Sequence, residues 1–248
     1  MGLLKFGRVL GLIGKYYYRL IEQRPKKDPS LEDVYHSLGT VLYEKGVYDR
    51  SLEFLKKTLE INTIVQLNPY VTIANTWNTI GEVYRAKDDD GQALKLYEYA
   101  ISLFQGANDM NHLRMAHIYN NIGILYDDKK KYSEALDYYQ KALFIRKKHL
   151  DPNHFNIAGS YNNIDCIYSC MCDYDKAIGQ YEKALTIQLR SLPPQHPDIT
   201  MTYENMGIAY EGKNDTTQAR TYLEQSNMNY RHSLPSNRPT VLRNTRIL

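Results

Sequence analysis

Apolar and small residues recur along this chain at fixed distances. The stretch YNNIGILY, Tyr119 to Tyr126, returns as YNNIDCIY at Tyr161 to Tyr168 and as YENMGIAY at Tyr203 to Tyr210. Gly39, Gly81, Gly123, Asp165 and Gly207 anchor the pattern, each 42 residues from the next. Four before the anchor stand Tyr35, Trp77, Tyr119, Tyr161 and Tyr203; three after it, Leu42, Tyr84, Tyr126, Tyr168 and Tyr210. Offsets −4, −1, 0 and +3 lie on one stripe of an α-helix, and +9, +12, +13, +16, +19 and +20 lie on one stripe of another. Each unit is therefore predicted to be a pair of helices. The turn between them is polar, as in DDKKK at Asp127 to Lys131, and Pro152, Pro193, Pro194 and Pro197 fall in the links between pairs.

Bulk and smallness alternate across the pair. At +12 stand Ser51, Ala93, Ala135, Ala177 and Ala219, and at +16 Leu55, Tyr97, Tyr139, Tyr181 and Leu223. A large side chain on one helix needs space on its neighbour, so a small anchor lets two backbones approach. An internal period of this length is the mark of a stacked-repeat architecture. The chain is expected to be all-α, with five units over residues 30–233. FGRVLGLIGKYYYRL, from Phe6 to Leu20, is a degenerate copy, so residues 1–29 read as a degenerate repeat or cap. Residues 234–248 read as a flexible basic tail.

Composition narrows the function. Of 248 residues, 43% are hydrophobic and 24% charged, and the net charge is only +3, which argues against a phosphate-backbone partner. Fourteen of the 23 tyrosines occupy the −4, +3, +9 and +16 slots, so they are expected in the core and not on a base-stacking surface. No apolar run approaches the roughly 18 residues that a membrane span needs, and Arg8, Gly11 and Gly14 interrupt any export signal. The three cysteines, Cys166, Cys170 and Cys172, make no disulfide framework and suit a reducing, cytoplasmic setting. They are read as packing and chance, not as soft-metal ligands or reactive thiols. His112, His154 and His196 repeat at 42 residues and are read as helix-start residues, not metal ligands. The runs Lys129 to Lys131 and Arg146 to Lys148 are read as solvated. Phosphate loops, dinucleotide fingerprints, nucleophile elbows and zinc-protease spacings are all missing, so no catalytic residue, cofactor or metal is expected.

The series aromatic, Leu/Ile, Gly, Tyr, Ala, Tyr, Ala resembles the tetratricopeptide repeat. The 42-residue unit, its paired asparagines and the link His196, Pro197, Asp198 make it most similar to the repeats of kinesin light chain. That resemblance implies a right-handed superhelical solenoid whose first helices line a concave groove, with slots −6, −3, +1, +4 and +5 facing the ligand. Carried over, −3 is His36, Asn78, Asn120, Asn162 and Glu204; Glu82 falls at +1, and Arg85 and Asp127 at +4. Asparagine is a mediocre helix former, and its carboxamide can hold a peptide backbone through a donor and an acceptor. The −2 asparagines, Asn121, Asn163 and Asn205, are read as bonding between helices.

The implied function is a non-catalytic adaptor for a protein or peptide, with a motor or signalling complex as candidate partner. The heptads through which kinesin light chains pair with their heavy chain are missing from this sequence. The alternative is a regulatory array from a larger enzyme, such as an ADP-ribosyltransferase. A clamp for a chaperone's C-terminal carboxylate wants Lys at −3 and Asn at +1, whereas this chain pairs Asn120 with Ile124 and Asn162 with Cys166.

Overall fold

The computed structural model describes residues 15–17, 19–25, 28–62, 70–109 and 112–233. The expectations for residues 1–14 and 234–248 lie outside them. Among the described residues, ten helices follow one another: α1 (Leu31–Glu44), α2 (Tyr48–Asn62), α3 (Tyr70–Ala86), α4 (Asp90–Gly106), α5 (Leu113–Asp128), α6 (Tyr132–His149), α7 (Phe155–Cys170), α8 (Tyr174–Ser191), α9 (Pro197–Gly212) and α10 (Thr216–Ser233). They form five hairpins on the 42-residue period, and no strand is present among the described residues. Residues 15–17 and 19–22 are also helical, and Tyr17, Leu20 and Ile21 pack against the core of α1 and α2. The chain divides into two compact bodies, residues 1–125 and 126–248, with the boundary inside α5.

Every hairpin turns in the same way. The residue seven after the anchor has a positive φ: Gly46, Asp88, Lys130, Cys172 and Asn214. The next amide then donates back to the carbonyl at +3, from Val47 to Leu42, Asp89 to Tyr84, Lys131 to Tyr126, Asp173 to Tyr168 and Asp215 to Tyr210. This six-residue closure satisfies a carbonyl that the helix end would otherwise leave unpaired. Only the first hairpin uses glycine for it. Asp89, Asp173 and Asp215 then cap the following helix, accepting from the backbone amides of Gln92, Lys176 and Gln218. The links use histidine: Nδ1 of His112, His154 and His196 accepts from the amide two residues on. The expected helix-start role of these residues is what the structure shows, and it requires the imidazole proton on Nε2.

Packing within a hairpin rests on the anchor. A Cβ built on Gly39 would stand 2.7 Å from Leu55, one on Gly81 2.6 Å from Tyr97, and one on Gly207 2.6 Å from Leu223. These are the +16 residues. All three are buried, as are the small +12 residues beside them. In the first body Leu52, Leu55, Ile80 and Val83 form a continuous core; in the second Ala177, Ile178, Tyr181, Met206 and Ala209 do the same.

Successive hairpins are joined by pairs matched in chemistry. In the second body, Nη1 of Arg146 donates to Ser160 Oγ at 2.6 Å and to the Asn156 carbonyl at 3.3 Å, and Thr202 Oγ1 donates to Gln188 Oε1 at 2.9 Å. Between the second and third hairpins the same two slots hold Phe104 and Ile118, both buried and both apolar, whereas between the first and second they hold Asn62 and Thr76, both buried and both polar. Arg146 thus corrects the expectation of a solvated run, being only 6% exposed. Its position at +23 brings it between α6 and α7, where a buried cation persists because hydrogen bonds replace water.

Three substitutions test this account. Gly81→Ala should lose about 1 to 3 kcal/mol by overpacking against Tyr97, whereas Gly179→Ala, at a helical position with open space around it, should gain about 0.5 to 1 kcal/mol. Lys130→Gly should gain about 1 kcal/mol by relieving a left-handed backbone at a non-glycine residue. Urea unfolding of each variant measures the differences.

Candidate functional site

The polar residues that spacing pointed to lie on the first helices of the hairpins. In the first body these form two linked clusters. His36 Nε2 lies 3.5 Å from Asn75 Nδ2 and 3.5 Å from Thr79 Oγ1, and Arg114 Nη1 donates to Asn75 Oδ1 at 3.4 Å. Three successive first helices are therefore stitched by side chains. Burial pulls the His36 pKa down, nearby Arg114 pulls the same way, and Asp33 opposes both.

The second cluster centres on Glu82. Asn78 Nδ2 donates to Glu82 Oε1 at 2.9 Å, while Asn121 Nδ2 donates to the same oxygen at 2.5 Å and to Asn78 Oδ1 at 3.0 Å. Burial raises the Glu82 carboxyl, and the two amides and Arg85 draw it back. Arg85 lies beside the hydroxyls of Tyr43 and Tyr97. Asn121 thus bonds between helices, as its slot suggested. Asn78 is only 6% exposed and its carboxamide is engaged by its own chain, so it shapes Glu82 from behind the surface. Asn120 and Arg85 are half-buried.

In the second body Asp127, Asn162 and Glu204 are half-buried. Burial raises the Asp127 carboxyl, and the adjacent Asp128 adds to the effect. Asn162 Oδ1 is enclosed without a hydrogen-bond partner. Glu204 Oε2 accepts from Tyr230 Oη at 3.1 Å, a contact from α10 that spacing on α9 alone does not disclose. Cys166, Cys170 and Cys172 are exposed: the first two lie on α7, at +1 and +5, and the third is the left-handed turn residue. Although Cys166 as a residue is exposed, partial desolvation of its sulfur pushes the thiol up to about 11, and Cys170, Asp127 and Asp165 reinforce it. Among the described residues no group of three His, Cys, Asp or Glu is placed to hold a metal ion.

Asp165 is the exception to the anchor rule. It is fully buried where the other hairpins place glycine, and neither carboxylate oxygen has a hydrogen-bond partner of good geometry. Burial pushes its pKa up to about 10, countered in part by the Cys166 amide and the Tyr181 hydroxyl. It is a neutral acid at ordinary pH. The signal was present in the alignment of the repeats, since a charged residue stands alone in a column of glycines.

The comparisons agree with this geometry. The tetratricopeptide repeat family model matches residues 72–148 and 151–226, and a second model of the same description matches 33–65. The chain is a tetratricopeptide-repeat protein. Repeats of this family are protein-binding scaffolds, and the fold implies protein or peptide partners. No curated sequence matches it. Among solved structures it is similar to BtubC (BKLC) from P. vanneervenii, at 19% identity over 96% of each chain with a TM-score of 0.76. It is also similar to a Podosopora anserina protein named for kinesin light chain, at 18% identity over 84% of this chain and 99% of that one, TM-score 0.69. A chain of the APC/C hetero-tetramer Cut9-Hcn1 matches over 96% of this chain and 39% of its own length, at 15% identity and a TM-score of 0.70. At these identities the likeness is one of fold. Among the described residues of this tetratricopeptide-repeat protein, no helix is long and apolar enough to cross a membrane.

Asp165 also sets a pH dependence. A carboxyl raised in the folded state keeps its proton there while the unfolded chain releases it, so stability is lost as pH rises from the ordinary aspartate value toward about 10. Asp165→Asn should match the parent near pH 4 and exceed it increasingly above that, by at most about 1.4 kcal/mol per pH unit. Denaturant midpoints of the two proteins at pH 4, 6 and 8 check the divergence.

Proposed function

We propose that this protein is a non-catalytic adaptor that binds an extended peptide or a partner helix along the uncovered side of its first helices. The observation that carries the reading is a recurrence. On α7 and α9 exposed positions recur at the same offsets from the anchor, −10, −6, +1 and +5, with Glu211 at +4 added on α9, so the uncovered side of these two helices repeats one template. A surface repeated in this way suits a ligand that is itself regular. Each body offers polar groups to it: Asn120, Arg85 and the Glu82 cluster held by Asn78 in the first; Asp127, Asn162 and Glu204 in the second.

The similarity to the Podosopora anserina protein named for kinesin light chain favours short peptide motifs as ligands and a cargo-adaptor role, in a motor or signalling complex. No reacting group is needed for this role. The scaffold supplies shape and hydrogen bonds, and the partner supplies the rest.

The reading is tested with a peptide library selected on the native protein, followed by titration of the selected peptides into Asn120→Ala and Asn162→Ala variants. Each substitution should weaken the peptides that use its body by about 0.5 to 1.5 kcal/mol. Selected peptides that bind both variants as tightly as the parent would remove the asparagines from the site.

A further inference from the structure

The uncovered side changes character along the chain. The exposed residues of α1 are Asp33 and Glu44, that of α3 is Thr72, and those of α5 are Arg114, His117 and Asp128. On α7 they are Phe155, Gly159, Cys166 and Cys170; on α9, Pro197, Met201, Ile208, Glu211 and Gly212. Both of these helices belong to the second body and both pack against α8. Phe155, Met201 and Ile208 are 57%, 48% and 52% exposed. One exposed apolar side chain means little, but apolar residues at matching slots on two helices flanking the same neighbour make a patch.

The charge on these two helices has one sign. Neither α7 nor α9 contains a lysine or arginine, whereas α9 carries Asp198, Glu204 and Glu211. The end of α5 adds Asp127, whose carboxyl is already raised by burial and by Asp128. A partner with acidic flanks would set like charges together; one with cationic flanks would relieve them.

Resting on the adaptor reading above, we propose that the α7 and α9 stripe docks a cationic amphipathic segment of another protein. Its apolar side chains cover Phe155, Cys166, Met201 and Ile208, and its Lys or Arg side chains meet Glu204 and Glu211. The partner is thus defined by chemistry: apolar anchors flanked by positive charge.

The thiols provide the readout. Cys166 and Cys170 lie within the stripe, and Cys172 lies in the turn beyond it as an internal control. The full chain is alkylated with N-ethylmaleimide and each thiol followed by mass spectrometry. The probes are a synthetic helical peptide of leucines and lysines and its counterpart with every lysine replaced by glutamate. The lysine peptide should slow alkylation of Cys166 and Cys170 about tenfold at saturation and leave Cys172 unchanged, and the glutamate peptide should leave all three unchanged. Ile208→Lys, and Glu204→Gln with Glu211→Gln, should each weaken the lysine peptide about tenfold, and added salt should weaken it further. Ile208 and Glu211 are exposed and Glu204 is half-buried, and circular dichroism verifies that the variants keep their helices.

Equal protection by both peptides, protection by the glutamate peptide alone, or no protection by either overturns the proposal. The adaptor reading is judged separately: a library-selected ligand that protects both thiols when the lysine peptide does not would discard the cationic partner and keep the docking face. Selected ligands that leave both thiols as reactive as before would discard the face as well.

Discussion

The close approach of two helices at the anchor position governs the rest of the architecture. A glycine there meets the +16 side chain with no room for a methyl group, and the contact sets the spacing of the hairpin. In the first hairpin the small +12 residue adds a bond, with Ser51 Oγ donating to the Gly39 carbonyl at 2.7 Å. Once the two helices are fixed at this distance, the remaining faces of each are fixed too. One meets the neighbouring hairpin, and one is left uncovered.

Asp165 shows what the constraint tolerates. A carboxylate would not survive in that place, but a carboxylic acid can, and burial holds it in the neutral form. The hairpin keeps its fold and acquires a stability that depends on protons. The other anchors have no such dependence, since glycine carries nothing to titrate.

Contacts between hairpins are more individual than those within them. Arg146 with Ser160 and Gln188 with Thr202 are polar pairs, whereas the corresponding slots at Phe104 and Ile118 are apolar. Moving one hairpin next to another's partner would bury an unmatched polar group, at a cost of about 1 to 3 kcal/mol. The units are therefore not interchangeable despite a common template. Their order along the chain decides which uncovered surface lies where, with charged and polar residues first and the apolar, thiol-bearing stripe of α7 and α9 later. Each body thus offers a ligand its own set of surface chemistries.

The 42-residue period, the helical stripes and the alternation of large and small residues were legible from the chain alone, because they express local geometry: 3.6 residues per turn and one hairpin per repeat. So were the capping histidines, whose place before a helix needs no distant partner. The fate of individual polar residues was not. Asn78 occupies the same slot as Asn120 and Asn162, yet it is buried because Asn121, 43 residues on, closes over it together with Glu82. Arg146 reads like its lysine neighbours and is drawn inside by Ser160 of the following helix. Glu204 is met by Tyr230 from α10. In each case the deciding group lies far along the chain, and a pattern of spacings holds no information about which side chains arrive within 3 Å of one another. Local periodicity determined the helices and their faces, and only the stacking of one hairpin on the next decided which polar groups are spent inside and which are left for a partner.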